Sequence, residues 1–160
     1  MRTQGQEKGL PVLKKIDPLL NADVLYALRA MGHGDELILC DTNFPGDSVA
    51  RNTVLGKLLR IDNTSCAQAA RAILSVMPLD SFVDHTAWRM EVVGQPNEVP
   101  KVQAEVQKEI DRAEKKPTPM QSIERFAFYE RAKKAYCVIA TGETRFYGCF
   151  VFKKGVIPPK

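Results

Sequence analysis

The stretch ELILC at residues 36–40 is the clearest structural signal in this chain of 160 residues. Four apolar residues follow Glu36, and a short apolar run bounded by turn-forming residues predicts a buried β-strand. The strand is expected to end at Asp41, because residues 42–48 are dense in turn formers and predict a loop. Ligands of α/β proteins gather outside the carboxyl ends of strands, so Asp41 stands where a binding site is expected.

A short helix is predicted on the N-terminal side of this strand. Asn21 can cap it, and Gly32 stands where a helix normally stops in a left-handed conformation. Its apolar residues recur at helical spacing: Val24, Leu25, Leu28 and Met31. His33 therefore falls in the turn between this helix and the strand.

Helices and strands alternate along the rest of the chain. Strands are predicted at residues 54–61, 88–93, 136–141 and 147–153, and helices at residues 65–77, 99–116 and 123–134. This alternation predicts an α/β fold with a central sheet flanked by helices, although the pattern does not reveal the strand order. We expect a single domain over residues 12–160, preceded by a disordered N-terminal extension over residues 1–11.

The composition is that of an ordinary globular domain, with 44% hydrophobic and 26% charged residues. No apolar run approaches the roughly 20 residues that a membrane-spanning helix requires. The net charge of +4 is mild and its basic clusters lie on helical patterns beside acids, which favours solvated helix faces over a nucleic-acid surface. The four cysteines show no CxxC spacing, so we expect buried, reduced thiols and a cytoplasmic protein.

The motifs narrow the chemistry to general acid–base catalysis. The chain has two histidines, His33 and His85, which make a poor metal site without a tight carboxylate pattern. It contains no phosphate-binding glycine motif and no nucleophilic serine motif. We therefore expect neither a metal nor a cofactor.

Four side chains are the main candidates for this chemistry, each with a plainer alternative. His33 lies between two glycines that leave its imidazole uncrowded, and it could equally be a polar turn residue. Asp41 could be a loop cap rather than a ligand. Arg125 could donate to sugar hydroxyls or be a surface charge, and the phenol of Tyr147 could act in the site or lie at the edge of the core.

Several stretches together resemble the L-fucose mutarotase and ribose pyranase family. They are LKKIDPLL at residues 13–20, MGHGDE at 31–36, Asp41 with Phe44-Pro45, RFAFYERA at 125–132, TGE at 141–143, Tyr147-Gly148, and KKGV at 153–156. They span nearly the whole chain in the family's order. The segment that begins at Arg125 is closest to the fucose branch.

The resemblance implies a cofactor-free isomerase that interconverts the anomers of L-fucose or a related aldose. It implies that His33 is the catalytic histidine and that Asp41, Arg125 and the segment Tyr147-Gly148-Cys149 bind the sugar. We take Tyr147 as the proton-transfer partner of His33. Because members of the family form rings, often of ten subunits, we expect a homodecamer.

Cys149 departs from the family pattern, which usually has asparagine at this position. A thiol lacks the paired donor and acceptor of an amide. We therefore expect one sugar hydroxyl to lose a partner or to be recognised differently.

The spacing of His33 and Asp41 poses a geometric question. If residues 36–40 are extended at about 3.3 Å per residue, the two side chains lie roughly 20–26 Å apart, too far to contact one monosaccharide. Either the turn at His33 folds back along the strand, or different subunits supply the two groups. We favour a composite site at a subunit interface.

Other functions remain open for the same pocket. The chain could be a non-catalytic monosaccharide-binding or transport-accessory protein, or it could have ribose pyranase-type activity. An aldose–ketose isomerase is a further alternative, but that reaction commonly relies on a metal or a strong base.

Overall fold

A six-stranded sheet covered by helices on both faces forms the protein in a computed structural model, which describes residues 10–160. The strands are β1 (Glu36–Cys40), β2 (Leu59–Ile61), β3 (Ala87–Met90), β4 (Gln121–Ile123), β5 (Cys137–Thr141) and β6 (Cys149–Lys153). The helices are α1 (Ala22–Ala30), α2 (Gly46–Ala50), α3 (Cys66–Leu74), α4 (Lys101–Glu114) and α5 (Arg125–Lys133). The predicted single-domain α/β fold is confirmed, while residues 1–9 of the predicted extension lie outside the described residues.

The sheet is mixed, with the strand order β2-β5-β1-β6-β3-β4. β1 lies near its centre, parallel to β5 and antiparallel to β6. Because side chains alternate along a strand, Leu37 and Leu39 point to one face of the sheet, and Ile38 and Cys40 point to the other. Both faces are buried, which explains why β1 is an uninterrupted apolar run rather than an alternating one.

Two layers of helices cover these faces. The larger core lies beneath α1, α3 and α4, where Val106 and Ile110 of α4 are fully buried. The smaller core lies beneath α2 and α5 and includes Phe128 and Ala132 of α5. The candidate residues lie near the two ends of the strands: His33 before β1, and Asp41, Arg125 and Tyr147 near the opposite end.

The structure corrects several local predictions. The strand expected at residues 54–61 is limited to β2, because the chain turns at Gly56 (φ 78°) and leaves Val54 71% exposed. The loop expected at residues 42–48 contains the start of α2, and β4 was not predicted.

The turn before β1 also differs from the prediction. α1 ends at Ala30, and Met31 leaves the helix with an extended ψ of 139°. The left-handed glycine is Gly34 (φ 87°) rather than Gly32. A glycine at this position still serves the turn, because only glycine adopts this φ without strain.

Candidate functional site

Asp41 lies directly after β1 and contacts two neighbouring parts of the chain. Its Oδ1 accepts hydrogen bonds from the N–H groups of Asn43 and Phe44, both at 2.9 Å. Its Oδ2 accepts the N–H of Gly148 at 3.0 Å and lies 3.8 Å from the thiol of Cys149. Burial raises the pKa of Asp41, and these hydrogen bonds partly oppose the rise. The carboxylate therefore ties the loop after β1 to the start of β6.

A cavity of about 250 Å³ opens beside Asp41. It is lined by Asp41, Asn43, Phe44, Met90, Arg125, Tyr129, Phe146, Tyr147 and Cys149. A carboxylate, a guanidinium and two phenols in this lining can hydrogen-bond to hydroxyl groups. The aromatic rings among them offer apolar surface to carbon-bound hydrogens, and this combination is suited to a monosaccharide.

Arg125 begins α5 at the rim of this cavity. Its Nε donates to the hydroxyl of Tyr129 at 3.0 Å, and the guanidinium carbon lies 5.4 Å from the centre of the Phe126 ring. The neighbouring Glu124 is not its partner, because its carboxylate caps α5 by accepting the N–H groups of Phe126 and Ala127. Within residues 10–160 Arg125 makes no ion pair, so its terminal nitrogens can donate to a ligand.

Tyr147 sits in the connection between β5 and β6 with a left-handed backbone (φ 64°). This conformation is uncommon for a residue with a side chain and often marks a functional position. The hydroxyl oxygen accepts the N–H of Val93 at 3.2 Å. The phenolic proton is thereby left to donate to a molecule in the cavity.

Gly148 and Cys149 follow Tyr147 but contribute differently. A Cβ at Gly148 would lie 3.1 Å from the Cys66 sulfur and 3.2 Å from Cβ of Asp41, so the close packing behind the cavity favours glycine. Gly148 supports the cavity without lining it. Cys149 does line it, and burial raises the pKa of its thiol well above the ordinary value, so the group is a neutral thiol.

His33 lies at the opposite end of β1 from Asp41. It lines a different, larger cavity of about 530 Å³, which shares no residue with the lining of the Asp41 cavity. The side chain is 44% exposed, and its Nε2 lies 3.0 Å from Oδ1 of the buried Asp80. Burial alone would raise the pKa of Asp80, but the N–H of Phe82 and the His33 ring lower it below its ordinary value. An ionised carboxylate therefore orients the imidazole.

The turn at His33 does not fold back along β1. The N–H of Gly34 donates to the carbonyl of Lys154 at 2.8 Å, and the N–H of Lys154 donates to the carbonyl of Asp35. These bonds extend the pairing of β1 and β6 past Lys153, away from Cys149 and Asp41. The possibility that the turn at His33 folds back along β1 is thus wrong. One chain alone does not bring His33 to the Asp41 cavity.

Asp41, Arg125, Tyr147 and Cys149 were all predicted from the sequence, and they line the same cavity. The buried polar residues that support them were not predicted. Gln103 is the main example, since its amide contacts the backbone of Tyr147. A signal was present: Gln103 lies three and seven residues before Val106 and Ile110, on the buried face of α4. Asp80, the partner of His33, lies just before a bend at residues 81–84, and no sequence pattern distinguishes it.

Two further structural features bear on the chemistry. Within residues 10–160, no group of three or more histidine, cysteine, aspartate or glutamate side chains is arranged to hold a metal ion. In the same part of the chain, no helix combines the length and apolar character needed to cross a membrane.

The chain resembles members of one protein family in both sequence and structure. Residues 14–157 match the RbsD / FucU transport protein family. The fucose mutarotase of Bos taurus is 41% identical over 152 residues, which cover 93% of this chain and 97% of the bovine protein. The crystal structure of the fucose mutarotase from Streptococcus pneumoniae in complex with L-fucose is 38% identical, with a TM-score of 0.81 over 91% of this chain and 100% of that chain.

A further crystal structure is more similar still. It is that of a putative sugar binding protein, 66% identical, with a TM-score of 0.90 over 94% of this chain and 99% of that chain.

Proposed function

This chain belongs to the RbsD / FucU family, and from that premise we propose that it is a mutarotase that interconverts the α and β anomers of L-fucose. The observation that carries the proposal is the cavity beside Asp41, where Arg125, Tyr129 and Tyr147 present groups that hydrogen-bond to hydroxyls. The relative from Streptococcus pneumoniae, whose structure contains L-fucose, supports this sugar as the substrate.

The reaction needs one base and one acid. The base removes the proton of the anomeric hydroxyl while the bond between the anomeric carbon and the ring oxygen breaks, and the acid protonates the ring oxygen. The open-chain aldehyde rotates, and the same steps in reverse close the ring on the other face. Groups of this kind contribute about 10²–10⁴ in rate each, so no cofactor is required.

His33 and Tyr147 are our candidates for the two proton-transfer groups, with Arg125, Asp41 and Cys149 shaping the contacts to the sugar hydroxyls. The contribution of Asp41 is largely indirect, because the loop after β1 and the start of β6 already donate to both of its oxygens. Gly148 acts through this same contact.

We propose that the complete site forms between subunits of a homodecamer, with His33 reaching the Asp41 cavity of a neighbouring copy. The separation of the two cavities along β1 supports this arrangement. We place the reaction in the cytoplasm, which agrees with four free and buried cysteines.

Exchange NMR tests the function directly. The purified protein should accelerate magnetisation transfer between the α and β H1 resonances of L-fucose, without incorporating deuterium at C2. An unchanged exchange rate at saturating protein would contradict the proposal, and C2 labelling would indicate an aldose–ketose isomerase instead. A panel that includes D-ribose would report the sugar preference.

A second candidate is sugar binding without catalysis. It is favoured by the 66% identical relative, which is described as a putative sugar binding protein. Ligand-induced shifts with L-fucose but no faster anomer exchange would select it.

A further inference from the structure

We infer that Gln103 is a positioning residue that holds the peptide bond between Tyr147 and Gly148 in the orientation the site requires. The inference rests on the proposed role of Tyr147. It concerns a residue of α4 that does not line the cavity and therefore acts through Tyr147 rather than on the sugar.

Gln103 is fully buried, and protein partners engage both ends of its amide. Its Nε2 donates to the carbonyl of Tyr147 at 3.0 Å and to the carbonyl of Met90 at 2.7 Å. Its Oε1 accepts a hydrogen bond from Arg89 at 3.1 Å. Because a guanidinium can only donate, Arg89 fixes which end of the amide faces it, and the amide nitrogen must face the two carbonyls.

The same peptide bond is held from its other side by Asp41. The N–H of Gly148 donates to Asp41 Oδ2, while the carbonyl of Tyr147 accepts from Gln103. Two buried side chains, one on α4 and one in the loop after β1, thus hold both polar atoms of one peptide unit. This constraint is needed because Tyr147 has a left-handed φ, from which an unrestrained tyrosine would relax.

Arg89 extends the support to the phenol of Tyr147. Its guanidinium also donates to the carbonyls of Pro96 and Glu98, which fixes the segment after β3. That segment includes Val93, whose N–H contacts the hydroxyl of Tyr147. The Arg89–Gln103 pair therefore orients both the backbone and the side chain of Tyr147.

Gln107 provides a matched control on the same helix. Its Nε2 donates to the Thr118 carbonyl at 2.8 Å and to Asp111, and its Oε1 accepts the N–H of Met120. It holds the segment before β4 with the same chemistry, but it contacts neither Tyr147 nor the cavity. Loss of its amide should disturb packing without moving Tyr147.

The test compares Gln103→Met with Gln107→Met by fucose anomer exchange, by thermal unfolding and by hydrogen exchange of the Gly148 amide. Both variants should unfold at lower temperatures. A displacement of about 1 Å at the reacting groups costs on the order of a hundredfold in rate, so we expect Gln103→Met alone to lower kcat by about ten- to a hundredfold, with a smaller change in KM. Its Gly148 amide should exchange at least about tenfold faster than in Gln107→Met, because the clamp is released.

Gln103→Glu guards against misfolding of the first variant. It keeps an acceptor for Arg89 but at neutral pH has no donor for the carbonyl of Tyr147, and it should show the same loss of kcat. The inference is overturned if kcat in both Gln103 variants stays within about twofold of Gln107→Met. Should the wild type not accelerate anomer exchange, the proposed function fails, while the Gly148 amide still reports whether the clamp exists.

Discussion

At the scale of single residues, Asp41 and His33 differ in how far the protein already occupies their polar atoms. Asp41 is 3% exposed, and its carboxylate accepts hydrogen bonds from three backbone N–H groups. His33 has one ring nitrogen on Asp80, while its other nitrogen has no partner among residues 10–160. Of the two, His33 is the group that is free to exchange a proton with a ligand.

Replacing His33 by alanine should abolish the acceleration of anomer exchange, a loss of about 10²–10⁴ in rate, because the variant lacks the proposed proton-transfer group. His85→Ala is the matched control, since His85 is exposed and lines neither cavity described above. Exchange NMR measures both variants, and size-exclusion chromatography checks that each assembles like the wild type. Full activity in His33→Ala would exclude this histidine as the proton-transfer group.

The candidate residues and the residues that support them differ in how well the sequence identifies them. Asp41, Arg125 and Tyr147 could be predicted because they stand in recognisable motifs. Asp80 stands in no such motif, and its importance depends on the imidazole of His33 that the fold places beside it. The helical spacing marks Gln103 as buried, but it does not reveal that its amide contacts the carbonyl of Tyr147, 44 residues away along the chain.

At the scale of elements, the connection between β5 and β6 is anchored by a charged network. Arg145 donates to Glu143 at 2.9 Å and to Glu105 of α4 at 2.7 Å. Glu143 also accepts the N–H of Cys66 at the start of α3. These contacts fasten the segment that carries Tyr147 to two helices. Hydrogen bonds from Arg145 hold the pKa values of Glu105 and Glu143 below their ordinary value of 4.5.

Arg145→Met should destabilise the protein at neutral pH by about 1 kcal/mol, a modest loss because the arginine is partly exposed and solvent screens the pairs. The two glutamates have lowered pKa values in the folded state, so their contribution is present above 4.5 and is lost as the pH falls through the folded values. The unfolding temperatures of the variant and the wild type should therefore converge as the pH is lowered from about 7 to about 3.

Arg51→Met serves as the control for this experiment, because Arg51 pairs with Asp47 on an exposed surface. Its unfolding temperature should follow the wild type across the pH range. If the difference in unfolding temperature between Arg145→Met and the wild type stays constant with pH, the two glutamates are not the cause of the destabilisation.

The elements themselves could be predicted to different degrees. β1, β5 and β6 are long apolar runs whose burial on both faces leaves a clear pattern. β4 has three residues at the edge of the sheet and owes its existence to β3 beside it, so its own sequence does not mark it. β2 is shorter than predicted because the turn at Gly56 interrupts an otherwise strand-like segment.

At the scale of the whole molecule, β1 separates the two candidate cavities. The His33 cavity lies at one end of the strand and the Asp41 cavity at the other. If neighbouring subunits complete each other, His33→Ala and Tyr147→Phe should each be inactive alone and yet restore activity when mixed. In a random mixed oligomer, about a quarter of the sites would combine an intact His33 with an intact Tyr147.

The measurement requires subunit exchange, for instance by mild denaturation and joint refolding of the two variants in equal amounts. Anomer exchange in the mixture should recover to about a quarter of the wild-type rate. Each variant refolded by itself is the control. No recovery, with mixed oligomers verified by mass spectrometry, would place both groups within one subunit.

β1 is hydrogen-bonded to β5 on one side and to β6 on the other. The distance between the His33 turn and Asp41 within one subunit therefore cannot change to fit the neighbouring subunits. In a closed ring, each copy would then behave as a rigid spacer that serves two adjoining catalytic centres. Removing one copy would disable two centres at once, and activity would decline more steeply than the number of subunits during early dissociation.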